Sequence, residues 1–341
     1  MPKSNRAVIY WLLIVCFTVF CMIVVGGITR LTDSGLSMVE WRPLIGIIPP
    51  IGEVEWQSVF TAYKNYPQYQ TVNQGIDLEA FKSIFYWEYG HRVLGRMIGI
   101  IFFLPFVILL ALKKVPENMV GRLWVGLLLG GLQGLMGWYM VKSGLVDIPR
   151  VSHFRLAAHF ILALAILAYL TWLILDLWEA ERFTNVSSSF RGLVYILSVV
   201  LFFQFLYGAF VAGSRAGYGY NTFPLMNGEF MPDIVWQLNP LWLNWVENNA
   251  MLQFVHRWLG AMVLFLTTVI AALALRHNDS VLRFWVSILV LGVFVQFTLG
   301  VFTLLQVVPI GLASLHQAGG CFVLIVLVCI FYKARSVEHS Q

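Results

Sequence analysis

The sequence predicts an all-α membrane protein in which eight transmembrane helices form two tandem, pseudo-symmetric four-helix bundles. Its 341 residues are 59% hydrophobic and 11% charged, against about 45–50% and about 25% in soluble domains. The mean hydropathy of +0.78 implies more apolar surface than one soluble core can hide. A soluble enzyme and a disordered chain are therefore excluded, and the net charge of +5 is assigned to membrane topology rather than to nucleic-acid binding.

Apolar stretches long enough to cross a hydrocarbon layer of about 30 Å define the spans. The first follows basic residues but has no small-x-small cleavage site, so we expect a retained span rather than a signal peptide. The predicted spans cover residues 7–26, 88–112, 121–141, 155–176, 192–213, 251–275, 283–305 and 311–332.

The distribution of basic residues predicts the orientation. Eight spans put both chain ends on one side, and that side carries eleven of the 22 basic residues. The loop 30–87 instead has more acidic residues, Glu40 among them, than basic ones, Arg42 among them. The positive-inside rule therefore places both termini in the cytoplasm. The basic residues on that side are Lys3, Arg6, Lys113, Lys114, Arg122, Arg182, Arg191, Arg276, Arg283, Lys333 and Arg335.

Two long loops, 27–87 and 214–250, then face outward, and we interpret both as lids. In the first loop, four apolar residues at helical spacing predict a short amphipathic helix lying in the membrane interface. They are Trp56, Val59, Phe60 and Tyr63. In the second loop, three tryptophans suit the aromatic belt of a membrane protein. They are Trp236, Trp242 and Trp245.

An internal repeat relates the two halves of the chain. The segment 87–95 resembles the segment 252–260, and further landmarks recur roughly 160 residues along the chain. The landmarks are Gln133 with Gly137, matched by Gln296 with Gly300, and His159, matched by His316. We therefore predict an N-terminal bundle over residues 1–180 and a C-terminal bundle over residues 181–341, inserted in the same orientation.

Four of the seven histidines lie in the first turns of even-numbered spans. These spans run from the outer to the inner side, so the four imidazoles are expected at similar depth, one pair in each bundle. A glycine or alanine follows each histidine by four residues, which leaves room for a flat macrocycle against the helix. We expect each pair to hold one six-coordinate haem iron. The pairs are His91 with His159 and His256 with His316.

Other interpretations of these residues stay open. The histidines alternatively bond across helices as packing residues, whereas a zinc site would need further ligands that do not recur at this spacing. Arg92 and Arg257 directly follow two of the histidines and are candidates for binding haem propionates. Their alternative role is to snorkel to the membrane interface.

The two halves differ at one position of the repeat in a way that affects the chemistry each half can carry out. Glu88 lies three residues before His91, on the same helix face, whereas its counterpart in the repeat is Gln253. A carboxylate beside a porphyrin can accept a proton or stabilise positive charge, which an amide cannot do. We therefore predict that Glu88 is catalytic, that the N-terminal bundle carries out the chemistry, and that the C-terminal bundle only transfers electrons. The alternative is that Glu88 is an exposed interfacial residue or pairs with Arg92.

Five motifs in order and spacing resemble heme A synthase over nearly the whole chain. They are the string Gly26–Ser37, the element Glu88-x-x-His91-Arg92, the run Val151–His159, the loop segment Asn221–Met226 and the pair His316-Gln317.

The resemblance implies an integral membrane oxidoreductase that converts heme O to heme A by successive hydroxylations of the methyl group at porphyrin carbon 8. It implies that substrate heme O lies between His91 and His159, that the glutamate matching Glu88 is required, and that haem b lies between His256 and His316. It suggests water as the oxygen source, which the residues themselves do not decide. The loop cysteine pairs of some members are absent from this sequence. The lack of an Arg-rich transit peptide favours a bacterial inner membrane.

Two other classes of function compete with this one. A diheme cytochrome b electron carrier would need the four histidines and the repeat but not Glu88, and a haem transporter or chaperone would need exchangeable haem and no redox product. A metal-ion transporter is disfavoured because no intramembrane acidic pair marks an ion path. Expected partners are heme O, membrane lipid and an electron acceptor that the sequence does not identify, with a heme O synthase as a candidate and no nucleic acid.

Overall fold

The computed structural model describes residues 5–39, 48–145, 149–184 and 186–335. Eight of the α-helices in these ranges are long and apolar enough to cross a membrane, which confirms the predicted all-α fold class and the number of spans. The helices are α1 (Arg6–Leu31), α2 (Glu53–Lys64), α3 (Pro67–Thr71), α4 (Leu78–Ala111), α5 (Glu117–Lys142), α6 (His153–Leu177), α7 (Ser188–Ser214), α8 (Asn244–Glu247), α9 (Asn249–Ala274), α10 (Ser280–Leu305) and α11 (Ile310–Ala334). Lys3, Glu40 and Arg42, which entered the prediction of orientation, lie outside the described residues.

Side-chain caps define where several of the spans begin. A helix leaves its first backbone N–H groups without partners inside the helix, and a short polar side chain just before the first turn can accept from them. Asp77 accepts from Ala80 N at 2.8 Å at the start of α4. The other capping residues are Ser187 before α7, Asn248 before α9 and Asp279 before α10.

The predicted helix in the first long loop is confirmed as α2, but its surroundings differ from the prediction. Its apolar residues Trp56 and Phe60 pack against Phe81 and Phe85. These partners belong to α4, which begins ten residues before the predicted span and so extends beyond it. The apolar face of α2 therefore packs on α4 and stabilises the loop, and a position of this helix in the membrane interface stays a prediction.

The second long loop is ordered by two buried asparagines. Asn244 is fully buried and exchanges hydrogen bonds with the backbone of Leu238, while Asn248 donates to Asn244 Oδ1 at 3.0 Å. Buried amides with several partners fix backbone that has no regular ladder. The three tryptophans predicted for the aromatic belt remain well exposed in this loop.

Packing divides the chain into two compact units, which are Phe17–Ala163 and Met1–Cys16 together with Leu164–Gln341. In the second unit, α7 packs against α9, α9 against α10, α10 against α11 and α11 against α7, so four spans form a bundle. Its core includes Phe190, Ile270 and Leu282. The predicted division into functional bundles at residues 180 and 181 stays a prediction.

Candidate functional site

The structure brings His256, near the start of α9, and His316, near the start of α11, close together. Their ring centroids lie 6.4 Å apart, and the ring planes are nearly perpendicular at 88°. Two metal–nitrogen bonds of about 2 Å each, with about 1 Å from each nitrogen to the centre of its ring, place two axial imidazoles about 6 Å apart. The observed separation therefore suits one metal ion held between the two rings.

A hydrogen bond fixes which nitrogen of His316 is available as a ligand. His316 Nδ1 lies 3.1 Å from the backbone oxygen of Gln296. Because a carbonyl oxygen only accepts, Nδ1 carries the hydrogen, and Nε2 keeps its lone pair for a metal. Gln296 Nε2 also donates to His316 O at 2.8 Å, which holds the same turn of α11 from the other side.

Each of the four predicted ligands packs its ring against a glycine of a neighbouring helix. A Cβ atom on any of these glycines would lie 3.3 Å or less from a ring atom, closer than ordinary van der Waals contact. The pairs are Gly26 with His91, Gly137 with His159, Gly208 with His256 and Gly300 with His316. Glycine at these positions therefore gives each imidazole its room, a role that the sequence analysis did not identify.

The glutamine at the repeat position also supports the histidine of the first unit. Gln133 Nε2 donates to His159 O at 3.1 Å, just as Gln296 donates to His316 O. The two landmarks Gln133 and Gln296 thus have the same role in their own units, which is to hold the backbone of a histidine.

The partners of the buried histidine nitrogens bear on whether these residues could hold a haem. His159 Nδ1 and His256 Nδ1 are buried and make no hydrogen bond within the described residues. No group of three or more metal-binding side chains occurs in those same ranges, and imidazole is a common ligand of haem iron. A Cβ atom added at Gly95 would lie 3.2 Å from Met22 Cε, and one added at Gly260 would lie 3.3 Å from Gln204 Nε2, so side chains lie close to these glycines. His256 and His316 therefore fit a haem held between them, and the pairing of His91 with His159 around a haem stays a prediction.

Glu88 is buried, with 2% of its surface exposed, so it is not an exposed interfacial residue. Its Oε1 accepts from Arg92 Nη2 at 2.5 Å. Its Oε2 accepts from the hydroxyl of Ser37 at 2.8 Å and from the backbone N–H of Met38 at 2.7 Å. The pairing with Arg92, which the sequence left open, is therefore present, and the first long loop completes the environment of the carboxylate.

Arg92 links Glu88 to a neighbouring cavity. Its Nη2 also donates to Met38 O at 2.9 Å, and its side chain lines a cavity of about 210 Å³ together with Val39, Trp138 and Lys142. Arg92 is thus bound to protein groups, and its side chain borders this cavity. Binding of a propionate by Arg92 stays a prediction.

The C-terminal half repeats this arrangement with an amide in place of the acid. Arg257 donates to Gln253 Oε1 at 2.9 Å and to Thr222 O at 2.8 Å. Gln253 Nε2 in turn donates to Ala216 O at 3.0 Å and to Gly219 O. A long loop is therefore hydrogen-bonded to the helix in the same way in both halves. The bonds involve the residue three positions before a histidine and the arginine directly after that histidine.

The direction of the hydrogen bonds from the loop is opposite in the two halves. The first loop presents donors to Glu88, namely a hydroxyl and a backbone N–H, whereas the second loop presents carbonyl oxygens to Gln253. The sequence analysis found the acid and the amide but missed Ser37 as a partner. Its place at the end of the string Gly26–Ser37 was the available signal.

The chain is similar to known proteins over nearly its full length. The family model for cytochrome oxidase assembly proteins, COX15-CtaA, matches residues 9–328. A heme A synthase from Nitrosospira multiformis is 46% identical, over 98% of this chain and 94% of the relative. Heme A synthases from Parvibaculum lavamentivorans and Flavobacterium johnsoniae are 44% and 42% identical, over 94% and 95% of this chain and 92% and 96% of the relatives.

Proposed function

The chain belongs to the cytochrome oxidase assembly protein family COX15-CtaA, and from this premise we propose that it is a heme A synthase, an oxidoreductase that converts heme O to heme A. The observation that carries the proposal is the buried carboxylate of Glu88 beside one histidine pair, matched by an amide beside the other. Relatives that carry this name align over nearly the full chain.

The two halves have different tasks in this proposal. The N-terminal bundle, residues 1–180, holds substrate heme O between His91 and His159. The C-terminal bundle, residues 181–341, holds haem b between His256 and His316, and the 6.4 Å separation of these two rings supports that ligand set. Haem b, when bound, supplies one-electron transfer to an acceptor outside this chain.

Glu88 acts on the methyl group at porphyrin carbon 8, which is oxidised to a formyl group by successive hydroxylations. Each hydroxylation that takes its oxygen from water releases electrons and protons in pairs, so the site must accept both. The carboxylate of Glu88 accepts a proton or stabilises positive charge on the oxidised substrate. Arg92 holds Oε1 of that carboxylate, so its position relative to the substrate is set before the reaction.

Arg92 also orients the substrate in this proposal. Carbon 8 shares its pyrrole ring with a propionate, so a guanidinium that binds this propionate brings the neighbouring methyl group to Glu88. Arg92 also lines a cavity of about 210 Å³, which we assign to the edge of the porphyrin. Arg257 binds a propionate of haem b in the same way, and the farnesyl tail lies on apolar helix surface or in lipid.

The protein spans the membrane several times, and we place it in the bacterial inner membrane with both termini in the cytoplasm. The two long loops then lie on the outer side, over the histidine pairs. Heme O is the substrate, a heme O synthase is a candidate donor of it, and membrane lipid surrounds the spans.

Porphyrin analysis of membranes tests this function. The chain is expressed with a supply of heme O, and extracted pigments are identified by chromatography and mass for the wild type, Glu88→Ala and Gln253→Ala. We expect heme A or its hydroxylated precursor from the wild type and from Gln253→Ala but only unmodified haem from Glu88→Ala. Unmodified haem from all three, with the spectrum of bis-histidine haem intact, would instead support a diheme electron carrier.

A further inference from the structure

Ser37 is the least expected member of the environment of Glu88. It lies 51 residues before Glu88 in the first long loop, is fully buried, and donates its hydroxyl to Glu88 Oε2 at 2.8 Å. The same Oγ lies 3.4 Å from the carbonyl oxygen of Ile84, one turn before Glu88 on α4. The Ser37 hydroxyl is therefore within reach of a carboxylate and of a second acceptor.

We propose that Ser37 is a positioning residue that lets Glu88 gain and lose a proton without leaving its place. This inference rests on the proposed function, because it gives Glu88 its proton-accepting role. The segment Gly26–Ser37 then contributes to the reaction itself, in addition to connecting α1 to the first long loop.

The partners of Glu88 differ in whether they can accept a hydrogen bond as well as donate one. The guanidinium of Arg92 and the backbone N–H of Met38 only donate. If Glu88 were protonated on either carboxylate oxygen, its O–H would point at a group that only donates, unless one of its partners can also accept a hydrogen bond. Only the hydroxyl of Ser37 can do so, since it can donate to Ile84 O while its own oxygen accepts from a protonated Glu88 Oε2. The proton that Glu88 takes up is thus accommodated at Oε2 by rotation of one hydroxyl.

The turn that carries Ser37 is fixed by its own hydrogen bonds. Thr32 Oγ1 and Ser34 Oγ lie 2.6 Å apart, and the backbone N–H of Ser37 donates to Ser34 O at 3.1 Å. Gln68 of α3 donates its side-chain N–H to Asp33 O at 2.8 Å. A turn held at several points keeps the oxygen of Ser37 in place while its hydrogen rotates.

The other half of the protein provides an internal contrast. Gln253 Nε2 donates to the backbone oxygens of Ala216 and Gly219, which cannot become donors. No hydroxyl is among the recorded partners of Gln253. A position that needs no proton therefore has a fixed set of partners, whereas Glu88 has a reversible one.

Three variants test the role of Ser37. Ser37→Ala removes the reversible partner, Ser37→Thr restores a hydroxyl, and Ser58→Ala removes an exposed hydroxyl from α2 in the same long loop as a matched control. Removal of a supporting partner of a functional group costs about 10- to 100-fold, so we expect kcat for heme O conversion to fall by that factor in Ser37→Ala with KM unchanged. Ser37→Thr should recover most of kcat, and Ser58→Ala should stay near the wild type.

A spectroscopic measurement separates this role from a merely structural one. In redox-difference infrared spectra of the full protein with both haems bound, we expect a band from a protonated carboxyl group that disappears in Glu88→Gln and shifts in Ser37→Ala. The haem b absorption spectrum reports folding of every variant.

Several outcomes would overturn the role of Ser37. They are a Ser37→Ala variant that converts heme O at the wild-type rate, one that loses haem b together with activity, or a Ser37→Thr variant as slow as Ser37→Ala with both haems bound. An unshifted carboxyl band in Ser37→Ala would do the same. If the wild type itself makes no product from heme O, the proposed function fails instead.

Discussion

The ring centroids of His256 and His316 lie 6.4 Å apart, and the two ring planes are nearly perpendicular at 88°. The two residues are 60 positions apart in sequence and lie on different helices, so the packing of α9 and α11 in the four-helix bundle sets this separation. Gly208 and Gly300 contribute to it, because each leaves one ring the room it occupies. The properties of the C-terminal site therefore depend on residues that cannot themselves bind a metal.

Replacement of Gly300 by alanine should disturb the haem b site. The added Cβ would lie 2.7 Å from His316 Cε1, and relief of such a clash in a packed interior costs about 1–3 kcal/mol. We expect less haem b per protein and an altered haem spectrum in purified Gly300→Ala. Gly311→Ala on α11, the helix that carries His316, is the control, since its Cβ would meet nothing within 4 Å. Equal haem b content and equal spectra in both variants would contradict the role of Gly300 in leaving room for the His316 ring.

Conversion of Gln253 to glutamate should destabilise the C-terminal half. A carboxylate there would face the carbonyl oxygens of Ala216 and Gly219 without a hydrogen to donate. A buried polar group left without its partner costs about 1–3 kcal/mol. Thermal unfolding in detergent, followed by haem b absorbance, should show a lower midpoint for Gln253→Glu than for the exposed control Gln237→Glu. Equal midpoints would argue against the loop contacts described for Gln253.

Stability of the first loop should decline at alkaline pH through Tyr63. Burial raises the pKa of Tyr63 to about 12, although a hydrogen bond from Asn73 opposes the shift, and the value in an unfolded chain is about 10. The fold therefore favours the neutral phenol, and this stabilisation is complete below pH ~10 and is lost as the pH rises towards ~12.

The variant Tyr63→Phe tests this dependence. It should be less stable at neutral pH by about 1–3 kcal/mol, because Gln68 and Asn73 lose the hydroxyl they contact. Between pH ~10 and ~12, where the tyrosine would titrate, its unfolding midpoint should fall less steeply than that of the wild type. Tyr86→Phe, at a residue that is 49% exposed, is the control. Parallel pH curves for Tyr63→Phe and the wild type would contradict the assignment.

Local pattern was sufficient to predict the spans. Apolar runs of the right length identify membrane helices, because this signal lies within a few residues of sequence. The four histidines recurred with small residues one turn later, and their role as ligands stays a prediction. The helix α2 was also predicted, but its partner was not. Its apolar face packs on the early turns of α4, and an amphipathic pattern alone does not say whether protein or membrane covers it.

Contacts between distant residues could not be predicted in the same way. Ser37 and Met38 reach Glu88 across about fifty residues, and the direction of their hydrogen bonds depends on the path of the loop backbone. The glycines opposite the histidines were hidden for a similar reason, since a glycine in a span has many roles and only the neighbouring helix shows which one applies. The acid and amide at positions 88 and 253 were visible in the sequence, but the inversion of donors and acceptors around them required coordinates.

The division of labour between the two histidine pairs is the central claim, and the haem retained by single-histidine variants tests it most directly. His91→Ala and His256→Ala are each purified after expression with a heme O supply, and their bound porphyrins are identified by mass. The account predicts that His91→Ala retains haem b and lacks heme O, whereas His256→Ala retains unconverted heme O and lacks haem b. Heme A in the His256→Ala protein, or loss of haem b from His91→Ala with heme O kept, would contradict it.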